Sequence, residues 1–237
     1  LGMILIFQIP TSAQTPCQMV PTSQISSVDQ AKCLLRQPEI FGKVGSPLTS
    51  LPSPFDQLLT KPTIDLDKAT LRKYLQAKGI KEADIGGSLD SPVSRANNND
   101  PNAELARYFV IHDTSAPNFR KAPFPNNINE ASWSGNNLNN APQVAHIFIN
   151  RVGQSVTKVD FKTPFRATKF EMKEVQRKGL FLNIELVQPR RSSPQGPPNN
   201  DAESPNPGFT TQQLDRLALV YIAASVRRGK WLIPAFH

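Results

Sequence analysis

Three short apolar runs constrain this chain more than anything else in it: Tyr108-Phe109-Val110-Ile111-His112, Leu180-Phe181-Leu182-Asn183-Ile184-Glu185 and Leu232-Ile233-Pro234-Ala235-Phe236-His237. Apolar runs of this length read as strands buried in a sheet. Each ends on a residue that can bind a metal or carry a proton. A polar residue at the end of a buried strand sits at the sheet rim, where open sheets place their ligands. Three such ends could bring two imidazoles and one carboxylate together. The chain has only three histidines, and two of them stand in these positions.

Between these runs the pattern alternates between strand and helix. Val144 to Asn150 reads as a further strand, and Arg151-Val152-Gly153-Gln154 as a hairpin-like turn into Ser155 to Phe161. A helix is expected after Thr210, which can cap it, with Gln213 three residues on as in a capping box. Leu214, Leu217, Ala218, Tyr221, Ile222 and Ser225 would form its inner face, and Arg227, Arg228 and Lys230 would complement the carboxyl end of its dipole. The expected fold class is therefore α/β, a central mixed sheet flanked by helices. The long segment from Thr114 to Pro142, rich in Asn, Pro and Gly, is of the kind that forms a functional wall or lid.

Before residue 103 the character changes. Residues 1–14 carry a short apolar stretch, a proline and then small residues, like the back half of a secretory signal. That stretch is too short to span a bilayer, and no other segment reads as a membrane span. Residues 15–102 read as an irregular N-terminal extension, a leader or a wrapping arm. It holds a possible short helix near Val28 to Leu35 and a clearer one over 67–78, with an aspartate at its start and Gly79 at its stop. Cys17 and Cys33, the only cysteines, could close a disulfide in an oxidising compartment or remain free thiols. Residues 103–237 form the main domain. An exported protein, periplasmic or extracellular, is the expectation.

The net charge of +8 favours anionic partners such as cell-wall polymers or membrane surfaces. No basic helix, Lys/Arg run or basic-aromatic motif is present, so nucleic acid is not the expected partner.

Hydrolytic zinc needs three protein ligands and an open position for water. His112, His237 and Glu185 are the right residue types. From residue types alone Glu185 could be a third ligand or the base beside the metal. The plain alternative is two hydrogen-bonded histidines and a surface glutamate.

The local wording adds to this. Phe109-Val110-Ile111-His112-Asp113-Thr114-Ser115, Val144-Ala145-His146-Ile147-Phe148-Ile149-Asn150-Arg151-Val152-Gly153, Leu182-Asn183-Ile184-Glu185-Leu186, Phe209-Thr210-Thr211-Gln212-Gln213-Leu214 and Ile233-Pro234-Ala235-Phe236-His237 follow one another over about residues 105–237. In that order they resemble the type-2 N-acetylmuramoyl-L-alanine amidases, the zinc family shared with peptidoglycan recognition proteins and phage amidase lysozymes.

The resemblance implies a Zn2+ cofactor with His112 and His237 as its first two ligands and Glu185 as the catalytic carboxylate. It implies that His146 lines the core or cleft and binds no metal. The implied reaction cleaves the amide between the lactyl group of N-acetylmuramic acid and L-alanine of the stem peptide, in peptidoglycan or released muropeptides. Phe119, Phe124, Trp133 and the asparagines of the long loop could line the substrate cleft, or could anchor the loop instead.

Two departures stand against the pattern. The family's third ligand, an aspartate or cysteine, falls beyond the second histidine, so the domain reads as cut short at its carboxyl end. Phe165-Arg166-Ala167-Thr168-Lys169-Phe170-Glu171 replaces a tryptophan-histidine pair. Asp113 and Glu171 could assist. The rival reading is a peptidoglycan-binding protein of the same fold without catalysis.

Overall fold

The most apolar runs occupy the middle of the sheet. In the computed structural model, which describes residues 17, 26–36, 45–61, 63–168, 171, 175–196 and 200–237, five strands form one mixed sheet. β1 (Tyr108–Asp113) lies between β4 (Phe181–Leu186) and β5 (Ile233–Phe236), parallel to both. β2 (Ile147–Ile149) runs parallel to β4, and β3 (Ser155–Thr157) pairs antiparallel with β2. The order is β3-β2-β4-β1-β5. β3, half-buried along its length, takes an edge, while the nearly fully buried β1 and β4 take interior places, as parallel strands covered on both faces do. The β2–β3 connection turns at Gly153, whose φ is +77° and where a Cβ would come within 2.7 Å of the Gln212 carbonyl oxygen. The signal-like residues 1–14 lie outside the described residues.

Parallel strands need long crossovers, and the connection from β4 to β5 carries the longest helix. α1 (Ser27–Leu34), α2 (Ser53–Thr60) and α3 (Lys68–Ala77) precede the sheet, and α4 (Thr211–Arg228) links β4 to β5. α3 has the expected bounds within a residue: Asp67 accepts the Thr70 N–H at 2.7 Å, and Gly79 follows the last turn at φ +63°. α4 begins at the expected capping box, with Thr210 and Gln213 exchanging hydrogen bonds of 3.2 Å.

Side-chain alternation divides the sheet into two faces. Phe109, Ile147, Ile149, Leu182, Ile184 and Leu186 point to one face and pack with Leu219, Val220, Ala223 and Val226 of α4 and Leu71 and Leu75 of α3. Tyr108, Val110, Phe181, Ile233 and Ala235 point to the other, under Ala31 and Leu34 of α1 and Leu59 of α2. The extension thus wraps both faces and belongs to the same cores as the strands. α2 falls in a segment expected to be irregular. It forms because Phe55 and Leu59, four apart, reach the sheet from one side of a turn started by Pro54.

The inner face of α4 differs from expectation. Leu214 is 47% exposed, and Ala218 is exposed as well, whereas Gln213 and Arg227 are buried. Gln213 Nε2 donates to the Val187 carbonyl at 2.9 Å, closing the end of β4. Arg227 pairs with Asp160 at 2.9 Å and donates to the carbonyls of Gly86, Ser91 and Pro92. The helix is rotated so that these two polar side chains satisfy backbone acceptors inside, and hydropathy spacing points to the wrong stripe. Arg227 therefore holds the segment before β1 and is not merely a cation at the helix end.

Cys17 and Cys33 form a disulfide. It ties Cys17 to α1, which packs on β5. Closing a loop of this length stabilises by about 3 kcal/mol on the chain-entropy estimate. Cys33→Ser is expected to lower the unfolding free energy by that amount, read from the shift of the denaturant midpoint. A shift equal to that of the reduced wild-type protein would locate the effect in the bridge, and no shift would show that α1 docks without it.

Candidate functional site

The sheet register sets the site. His112 is the register partner of Glu185, and Phe148 is partnered with Glu185 from the other side. His237 follows the Phe236–Ile111 pair and donates its backbone N–H to the Ile111 carbonyl at 3.1 Å. His112, Glu185 and His237 therefore share one face at the carboxyl ends of three adjacent parallel strands. It is the same face that α1 and α2 cover further back, and they leave this end for the site. All three expected residues are brought to one place.

The two imidazoles are neighbours, with ring centroids 4.8 Å apart and planes inclined at 56°. His112 is buried, and its Nε2 lies 3.0 Å from Asn183 Oδ1. Burial first, and the charge of His237 second, pull the His112 pKa down to about 4, against the opposing effects of Asn183 and Asp113. His112 is thus neutral at pH 7, the form that ligates metal.

Glu185 is shifted the other way. Burial, with a smaller push from the Asp113 charge, raises its pKa to about 7. Its Oε2 is buried without a hydrogen-bond partner among the described residues. Glu185 also faces a cleft of about 410 Å3. One wall is Thr114, Ala116 and Pro117 after β1, another is Asn137, Leu138 and Asn140 to Pro142, and Phe148 and Val187 form the floor. The lining is mostly apolar, with a few amides and one acid, the usual character of a small-molecule site.

Zinc fits this place in part. His112 and His237 are two neutral-capable imidazoles on adjacent strand ends, suited to share one ion. Among the described residues no three His, Cys, Asp or Glu side chains form a group that could hold a metal, so Glu185 is not a third ligand grouped with the pair. The pair offers two donors where a hydrolytic zinc takes three protein ligands.

The remaining candidates separate clearly. His146 is fully buried; its Nδ1 accepts the Asn183 backbone N–H at 3.0 Å and its Nε2 donates to the Thr163 carbonyl at 3.2 Å. Burial lowers its pKa to about 4, and its place is in the core. Asp113 pairs with Arg190 and accepts from the Ser115 N–H and hydroxyl at 2.8 and 2.6 Å, which fixes the loop after β1. Phe119, Phe124 and Trp133 pack with Ile128, Leu138 and Val187, and Arg191 lies over the Phe124 ring. They anchor the long loop, while its asparagines Asn137 and Asn140 reach the cleft.

Phe165 sits edge-on to His146. Glu171, from the same departing segment, is completely buried beside Asn183. Asn183 is the residue that motif reading passed over. Its signal was a polar side chain inside an apolar run, two residues before Glu185 and so on the same face. No protein-family model, curated protein or solved structure matches the chain.

Proposed function

We propose that this protein is a zinc-dependent peptidoglycan amidase that hydrolyses the amide between N-acetylmuramic acid and L-alanine of the stem peptide. The observation that carries this is the His112–His237 pair beside Glu185 at the carboxyl rim of the sheet, where Glu185 lines a mostly apolar cleft. His112 and His237 would hold the ion. When bound, zinc supplies a Lewis acid and acidifies its water toward pKa ~7.

Glu185 carries the proton work. With a pKa near 7 in the metal-free protein, its Oε2 can take a proton from the attacking water and return it to the leaving amine nitrogen. The apolar cleft wall keeps bulk water from competing and strengthens the local field. Asn137 and Asn140 offer amide donors and acceptors to sugar hydroxyls and peptide groups. The +8 charge suits an anionic wall, and the disulfide suits export to a periplasmic or extracellular compartment. No helix among the described residues is long and apolar enough to cross a membrane.

One observation favours a second reading, a peptidoglycan-binding protein without catalysis: the described residues supply two zinc ligands and no three-residue group. Metal analysis and muropeptide digestion separate the two. The amidase is expected to carry one chelatable zinc, lost in both His112→Ala and His237→Ala, and to release stem peptides with a free L-alanine amine. Wall binding that survives in both variants, with no zinc and no released peptide, would leave the binding reading.

A further inference from the structure

Behind His112 lies a buried line of polar groups that the amidase reading does not use. His112 Nε2 meets Asn183 Oδ1 at 3.0 Å, and Asn183 Nδ2 lies 3.4 Å from Glu171 Oε2. Asn183 and Glu171 are both inaccessible to solvent. An amide can be turned end for end, so its direction has to be argued from its partners.

Glu171 Oε2 accepts the backbone N–H groups of Ala167 and Thr168 at 3.0 and 2.9 Å. It is therefore the acceptor oxygen of that carboxyl whether the group is charged or neutral. A proton on Glu171 would sit on Oε1, which has no partner among the described residues. The end of Asn183 that faces Oε2 must then be its NH2 group, since two acceptors would repel. Its carbonyl is left facing His112, and a carbonyl needs a donor. Nε2 of His112 must carry the hydrogen, and the lone pair is on Nδ1.

We infer that Asn183 and Glu171 are positioning residues that lock His112 in its Nε2–H tautomer and leave Nδ1 as its metal-binding nitrogen. The tautomer follows from the buried line alone, while the metal-binding half rests on the zinc reading above. Carboxylates that orient a ligand histidine through a hydrogen bond are a common support of metal sites. Here an asparagine transmits the direction, so the ligand feels the carboxylate's orientation without its full charge.

Two-bond 1H–15N correlation spectra of the metal-free protein at pH 7.5 read the tautomer directly. His112 is expected to show a protonated Nε2 and an unprotonated Nδ1, as His146 should. Asn183→Leu removes the link, and is expected to give mixed His112 tautomers and roughly 10–100-fold weaker zinc affinity in a chelator competition. Glu171→Gln keeps an acceptor oxygen at the same place and is expected to preserve both, whereas Glu171→Leu should behave like Asn183→Leu.

A wild-type His112 protonated on Nδ1, or an Asn183→Leu spectrum and affinity equal to wild type, would overturn the inference. Where a leucine variant does not fold, the wild-type tautomer decides alone. A wild-type protein with the expected tautomer and no zinc affinity would sink the zinc reading and leave the positioning line intact.

Discussion

Glu185→Gln is expected to make the folded protein more stable at alkaline pH and, on the amidase reading proposed above, to lower turnover by about 10^2–10^4-fold, the usual contribution of a positioned acid–base group. The two effects share one cause. Burial raises the Glu185 pKa from 4.5 to about 7, and Oε2 has no partner among the described residues to offset the lost hydration. A raised carboxyl pKa means that folding favours the protonated form. Its contribution to stability is fully present below the unfolded pKa and is lost as pH rises through the folded one. Glutamine copies the neutral form at every pH.

Wild type and variant should therefore unfold at the same denaturant concentration near pH 4. They should separate as pH rises through about 7, with the variant ahead by roughly 1–3 kcal/mol at pH 8.5 once the partial exposure of the side chain is allowed for. His112 and His146 work with the opposite sign. Their pKa values of about 4 keep them neutral in the fold, so their contribution is full above pH 6.5 and lost as pH falls toward 4. Both proteins keep those histidines, and the difference between them isolates Glu185. A variant that loses turnover without gaining alkaline stability would show that Glu185 is paired in solution. One that gains stability and keeps full turnover would remove it from the chemistry. Such an exchange of stability for a strained functional group is a common property of active sites.

What could be read from the sequence was what short-range physics controls. Strand ends at His112, Glu185 and His237 were legible because apolar runs set the strands, and parallel register then brings their ends to one rim. The caps at Asp67 and Thr210 were legible because they satisfy donors three residues away. The misses at α4 and Asn183 involve polar groups satisfied over long range. Leu214 was assigned inward because hydropathy cannot know that Gln213 reaches the Val187 carbonyl. Asn183 was given no role of its own within its strand, since its partners His112 and Glu171 are 71 and 12 residues away. The loop aromatics could have lined the cleft or anchored the loop, and Trp133 shows why the second prevailed. Gly135 leaves room for its ring to fold back on its own segment, where a Cβ would come within 2.4 Å of it.

Arg151 is the strongest case of this kind, and replacing it is expected to cost more stability than any surface change. In the sequence it begins a hairpin-like turn, a place for a solvated charge. In the fold it is 1% exposed. Its guanidinium donates to Asn129 Oδ1 at 2.8 Å, Gln188 Oε1 at 2.5 Å, the Gly208 carbonyl at 2.8 Å and the Pro207 carbonyl at 3.0 Å. Its own backbone N–H and carbonyl bond Asn136 and Thr210. One planar group thus joins the long loop, the end of β4 and the entry to α4, all with neutral acceptors, and burial lowers its pKa accordingly.

Arg151→Met keeps much of the volume and strands the buried Gln188 Oε1, while the acceptors on Asn129, Pro207 and Gly208 can turn to water, at an expected cost of about 1–3 kcal/mol. Arg151→Lys restores the charge but not the fork, and one ammonium cannot serve acceptors spread around a plane, so recovery should be partial. Hydrogen exchange should quicken first in the long loop around Asn129, because the Arg151 Nε–H holds that residue from behind while Asn137 and Asn140 face the cleft. If the zinc reading holds, Arg151→Lys should therefore weaken substrate binding while zinc content stays at wild type. A loss below 1 kcal/mol in Arg151→Met, with unchanged exchange in the loop, would mean that water replaces the guanidinium and that the cleft wall stands without it.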